Sequence, residues 1–124
     1  MQPNGKTWIM RAARPIIWER CGGRCEVSGR RIEYESFDAH HRRNKGMGGT
    51  SRPDRDAPFN LLALHPQVHN PGPGTVHGER DWSIGRGYMI EKHNQAPQRR
   101  PVLLHDGRWV LLTETEFYVP LPWT

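Results

Sequence analysis

Two adjacent histidines, His40 and His41, lie in the run Phe37-Asp38-Ala39-His40-His41-Arg42-Arg43. Asn60 opens the apolar segment Asn60-Leu61-Leu62-Ala63-Leu64, and a further histidine stands at His77. Imidazole titrates near neutral pH and, when neutral, is a common metal ligand. Hydrolysis of a phosphodiester needs a water nucleophile, a base to take its proton, and a cation to neutralise charge on the phosphate and the leaving oxygen. The histidines are candidates for base and ligand. Arg42, Arg43 and Lys45 follow directly, and Arg52 lies in the loop beyond. Their charge suits phosphate contact, which positions a nucleic-acid backbone without reading sequence.

These groups need elements to hold them. Ile32 to His41 alternates apolar and polar residues in part, as a half-buried strand does. On a strand His40 and His41 project to opposite faces, so they take different tasks only if the strand twists or ends there. Asp38 shares a face with His40. Its carboxylate is either an acceptor for the ring N–H of a ligating histidine or a plain surface acid. Thr75 is a candidate helix cap, with Glu79 and Asp81 in the first turns and Gly85 or Gly87 at the end. His77 then sits in the first turn of that helix. Asp81 lies one turn along the same face, as a third ligand or as an exposed acid complementing the helix dipole. His65 and His69 are four residues apart and His69 competes with His77 for the final position. The breaker cluster Asn70-Pro71-Gly72-Pro73-Gly74 stops any helix beginning at His69, which favours His77.

Elsewhere, residues from about 7 to 21 have helical spacing of Ile9, Ala13, Ile16 and Ile17, ended by Gly22-Gly23. Pro15 favours a helix that starts near Arg14 and carries the proline in its first turn. The stretch from Gly46 to Phe59 is a Gly/Pro/Arg loop. Leu61-Leu62-Ala63-Leu64 is a short buried strand. Asp106-Gly107 joins two strands, Pro101 to His105 and Arg108 to Leu112, as a hairpin.

At 124 residues the chain suits one domain, and 35% hydrophobic residues predict a small core. No apolar run approaches a membrane span and no apolar leader opens the sequence, so a cytoplasmic protein without membrane contact is expected. The net charge is +5. It is uneven: residues 1–55 hold twelve Lys/Arg against six Asp/Glu, and residues 56–124 hold six against seven. The positive half carries the paired histidines, and a polyanion is its natural partner. Cys21 and Cys25 are the two cysteines. They are too close for a useful disulfide, and metal ligation or burial is expected instead.

The ordered set Asp38-Ala39-His40-His41-Arg42-Arg43, Gly46-Met47-Gly48-Gly49, Asn60 to Leu64 and Val76-His77-Gly78 resembles the HNH endonucleases, in particular small phage-type members, over roughly residues 20 to 112. The resemblance implies an α+β domain over 1–124: a ββα-metal core at about 20–92, an N-terminal helix, and a C-terminal β-hairpin at about 101–113. It implies metal-dependent cutting or nicking of duplex DNA, and since nothing in the chain resembles a base-reading recognition helix, weak sequence preference is expected. His41 would be the general base, Asn60 would keep loop and base strand in register, and His40 and His77, with Asp81 as a candidate third ligand, would hold the ion. Mg²⁺ is the expected ion, with Mn²⁺, Ni²⁺ or Zn²⁺ as alternatives. A role in phage DNA packaging beside the terminase is a further implication. Many relatives bind a structural zinc through four cysteines. Those positions read Cys25, Ser28, His69 and Val76 here, so that knuckle is broken. Cys21, Cys25, His65 and His69 remain as a Cys2His2 alternative; otherwise packing, with Trp18 and Trp109, replaces the zinc. Two other functions stay open: a non-catalytic DNA-binding or packaging accessory, and a small zinc-stabilised interaction domain.

Overall fold

The run Leu61–Leu64 forms β2, and all four of its side chains are buried. Each buried Leu contributes roughly 1.5–3 kcal/mol through the area it removes from water, and the rest of the domain is arranged to cover this strand. A computed structural model of the chain describes residues 7–43, 52–91 and 96–122. Lys45 and the Gly46-Met47-Gly48-Gly49 turn lie outside the described residues.

On one edge, β2 pairs antiparallel with β1 (Asp38–His41), with His40 opposite Leu62 and His41 opposite Leu61. Only the last part of the expected strand is extended. Ser36 and Phe37 both bond back to the Glu33 carbonyl, so residues 33–37 turn before β1 begins. The α1 helix (Met10–Cys21) packs over β2 with Ala13, Ile17 and Arg20 buried. It begins four residues earlier than Pro15 suggested. Pro15 sits inside it, but both Pro15 and Arg11, whose carbonyl loses its partner, are exposed to water, which can satisfy that oxygen. Gly22, at φ 63°, ends the helix and donates to the Trp18 carbonyl at 3.2 Å.

After β2 come two short helices, α2 (Pro66–His69) and α3 (Arg80–Gly85). The helix expected from Thr75 therefore starts later, and Thr75 to Gly78 is a turn. The C-terminal strands β3 (Val102–Leu103) and β4 (Trp109–Leu111) pair around Asp106-Gly107, as their sequence predicts. A strand the sequence reading did not anticipate, β5 (Val119–Pro120), extends them to a three-stranded antiparallel sheet. Among the described residues the chain is thus a mixed α+β protein with two small antiparallel sheets and a few helices. Among the described residues no helix is long and apolar enough to cross a membrane.

A buried polar network ties these parts together. Arg20 donates two bonds to the Glu26 carboxylate at 2.8 Å each, and further bonds to the Pro58 and Leu61 carbonyls. Glu26 also accepts from the Ala63 N–H and from the Tyr118 hydroxyl, at 2.8 and 2.7 Å. These bonds tie the pair to helix, strand and C-terminal segment, and such hydrogen bonding is the condition for a buried ion pair to be tolerated.

Candidate metal centre and active site

His40, His69 and His77 offer ligand nitrogens that all lie within 4.8 Å of one another, and they form the one such group of His, Cys, Asp or Glu among the described residues. Their ring centroids are 4.7–5.1 Å apart. Three elements supply them: β1 gives His40, the end of α2 gives His69, and the turn before α3 gives His77. His40 is buried, His69 half-buried and His77 exposed, so the group opens to solvent on one side.

Local structure brings these rings together. The His65 ring caps α2 by accepting from the Gln67 N–H, and the helix then runs to His69. The breaker cluster after it does not remove His69 from the site; it reverses the chain. Val76, buried in the core, donates its N–H to the Val68 carbonyl at 2.8 Å. His77 and His69 each follow a member of that pair. Thr75 Oγ1 donates to the Gly72 carbonyl and accepts from the Gly78 N–H, at 2.8 and 2.9 Å. A Cβ on Gly78 would lie 1.8 Å from the Gly72 oxygen, so the closeness of this turn requires glycine there. Ser83 of α3 holds the turn from the other side, donating to the Val76 carbonyl.

The second nitrogens are anchored. His40 Nε2 donates to the Tyr88 carbonyl at 2.7 Å, which leaves Nδ1 as its ligand atom. His69 Nδ1 donates to the Asp38 carboxylate at 3.0 Å, which leaves Nε2 facing His77 Nε2, also at 3.0 Å. A carbonyl or carboxylate behind a ligating imidazole fixes its tautomer and strengthens it as a donor. Asp38 thus meets His69, although its strand position pointed to His40. Burial drives the His40 pKa down to about 3, with smaller contributions in the same direction from His69, His77 and His41. Burial and the neighbouring His69 lower that of His77. Neutral imidazole is the form that binds metal.

His41 points elsewhere. It is the last residue of β1, and its Nε2 meets Asp56 Oδ1 at 2.7 Å, with side-chain exposures of 23% and 16% that leave both within reach of solvent. Asn60, nearly fully buried, accepts from the Arg43 N–H at 2.9 Å and donates to the Arg55 carbonyl at 2.8 Å. It links the end of β1 to the loop that carries Asp56.

Three site expectations need correction. Asp81 is exposed in the first turn of α3 and is not in the ligand group. The one-turn argument that paired it with His77 fails because no helix joins them. The Cys21, Cys25, His65 and His69 set does not gather either. Cys25 is buried with its sulfur against the Ser28 N–H, His65 caps α2, and His69 belongs to the three-histidine group. Burial, with Glu26, pushes the Cys21 thiol up to about 11, away from the thiolate a metal needs. Finally, Arg42 is not a phosphate contact. It is buried, and its guanidinium donates to the carbonyls of Gly87, Phe59, Pro97 and Arg100. Arg43 is also largely buried and is paired with Asp54 at 2.6 Å. Arg52 is exposed.

One participant carries no mark in the sequence, and another ranks second there. Asp56 is an acid in a loop, with no spacing to mark it. His69 was weighed and set second; the readable signal was its place one turn after His65, with Pro66 to start a helix that ends on it.

The class this geometry defines is a protein with a three-histidine candidate metal centre at the junction of a β-hairpin-like pair and two short helices. No family model matches the chain, and no curated protein or solved structure matches it significantly.

Proposed function

We propose that this chain is a metal-dependent endonuclease of the HNH type that hydrolyses phosphodiester bonds of duplex DNA. The observation that carries the reading is the division of labour between neighbours. His40 joins two distant imidazoles in a ligand group, while His41 ends the same strand beside a carboxylate and reaches solvent. Three protein ligands with open positions are the pattern of catalytic rather than structural zinc-type sites.

An all-imidazole set suits Zn²⁺, Ni²⁺ or another borderline transition ion better than Mg²⁺, which prefers oxygen ligands. We therefore place Mg²⁺ behind these ions. An ion held by the three histidines would neutralise charge developing on the phosphate and the leaving oxygen.

The protein's own groups do the remainder. His41 takes a proton from water at Nδ1 while Nε2–H stays on Asp56. The water oxygen forms a bond to phosphorus, the bond from phosphorus to the sugar oxygen breaks, and that oxygen is protonated from solvent. Asn60 keeps the loop against the strand. Arg52 and the exposed arginines of the basic half favour the backbone, while Arg42 and Arg43 support the site from within.

Plasmid nicking with Zn²⁺, Ni²⁺, Mn²⁺ or Mg²⁺, run against His41→Ala and His69→Ala, tests this. Wild type should nick with at least one ion. His41→Ala should still bind the ion but nick about 100-fold or more slowly, as expected on losing a general base. Binding without nicking under every ion would leave the accessory-protein reading in its place.

A further inference from the structure

The loop between β1 and β2 carries a carboxylate that the motif does not contain. Asp56 Oδ1 lies 2.7 Å from His41 Nε2. A neutral imidazole has one N–H, and an ionised carboxylate can only accept. The contact therefore places the His41 proton on Nε2 and leaves Nδ1 with a lone pair. His41 makes no other side-chain hydrogen bond among the described residues.

The placement of Asp56 is built into the fold. The Asn60 amide donates to the carbonyl of Arg55, the residue before Asp56, while its oxygen accepts from the N–H of Arg43, two residues after His41. The Asn60 N–H itself bonds the Ala57 carbonyl, and its carbonyl accepts from the Arg42 N–H, both at 2.8 Å. Through its side chain and its backbone together, one buried residue thus fixes the loop on both sides of Asp56 to the end of the strand that bears His41. The Arg55 guanidinium approaches the same Asp56 oxygen at 3.4 Å, a weaker contact from the same loop.

We infer that Asp56 is the positioning residue for His41: it selects the imidazole tautomer whose Nδ1 can accept a proton, with Asn60 holding Asp56 in place. This rests on the nuclease reading above. Asp56 touches no reacting atom. It acts by orienting the ring, as a carboxylate behind a catalytic imidazole does.

Two measurements test it, the first without activity. Long-range ¹H–¹⁵N spectra of metal-free wild-type protein should report His41 protonated at Nε2, and Asp56→Ala should shift it toward a mixture of tautomers. A wild-type His41 protonated at Nδ1 overturns the inference. The second is nicking kinetics. Asp56→Asn keeps an acceptor oxygen but loses the charge. It should lower kcat about 10- to 100-fold, with KM for DNA and ion affinity within about 3-fold, a split that a merely structural role does not produce. If wild type nicks, His41→Ala does not, and both Asp56 variants match wild type, the inference fails while the nuclease reading stands. If wild type fails to nick under every ion tested, the nuclease reading fails and Asp56 loses its positioning role with it.

Discussion

The Asp38 carboxylate accepts the Nδ1–H of His69 across 31 positions of sequence, at 3.0 Å, and so turns His69 Nε2 toward His77. Asp38 lies on β1 two residues before His40, so a single strand supplies one ligand directly and orients a second through its carboxylate. The third, His77, faces His69 at the same 3.0 Å separation. With His69 protonated at Nδ1, the proton between the two Nε2 atoms belongs to His77, and loading an ion must move it to the other His77 nitrogen.

Asp38→Asn should therefore weaken ion binding about 10- to 100-fold without unfolding the protein, the usual effect of removing a carboxylate behind a ligating histidine. Competition with a chromophoric chelator reads this directly. An affinity equal to wild type would mean that the Asp38 carboxylate does not strengthen His69 as a ligand.

His69→Ala and His77→Ala should each abolish stoichiometric ion binding, whereas Asp81→Ala should leave the affinity within about 2-fold. Calorimetric titration with Zn²⁺ or Ni²⁺ checks all three. A large loss for Asp81→Ala would return that acid to the ligand set. Cys25→Ser should leave ion stoichiometry unchanged, since its sulfur sits in the core and not in the histidine group.

Arg42→Met should destabilise the fold by about 3 kcal/mol or more, because it strips the donors from four carbonyls in or near the core. Urea unfolding measures the loss. Arg52→Ala should instead reduce the salt dependence of DNA binding by about one unit of slope. If the two variants exchange these effects, the assignment of Arg42 to the interior is wrong.

The metal-free protein should lose stability on acidification through His40. Its folded pKa is about 3 and its ordinary value 6.5. Above 6.5 both states are neutral there and the contribution is level; between 6.5 and 3 only the unfolded chain binds the proton, so stability falls as pH drops. The slope from this one group approaches about 1.4 kcal/mol per pH unit. His40→Gln keeps a donor for the Tyr88 carbonyl but does not titrate. Unfolding free energies from pH 7 to 4 (about) should fall less steeply in that variant than in wild type. Parallel curves would rule out a buried neutral His40.

Much of the framework was legible in the sequence because it is local. Gly22 ends α1, Asp106-Gly107 turns the C-terminal strands, and Leu61 to Leu64 reads as a buried strand; each depends on the conformational preference of a few adjacent residues. The histidines announced themselves by type and spacing. Which ones meet is a different matter. His69 reaches the site because Val76 bonds back to Val68 over a glycine-dependent turn, and Asp38 reaches His69 because β1 passes beside α2. Arg42 looked like a phosphate contact since charge alone is visible in sequence, while its burial under four carbonyls depends on segments 17 to 58 residues away. Residue chemistry was set by the chain itself. Partners were decided only when distant segments packed, because a hydrogen bond or a ligand sphere is a condition on positions in space and no local preference encodes it.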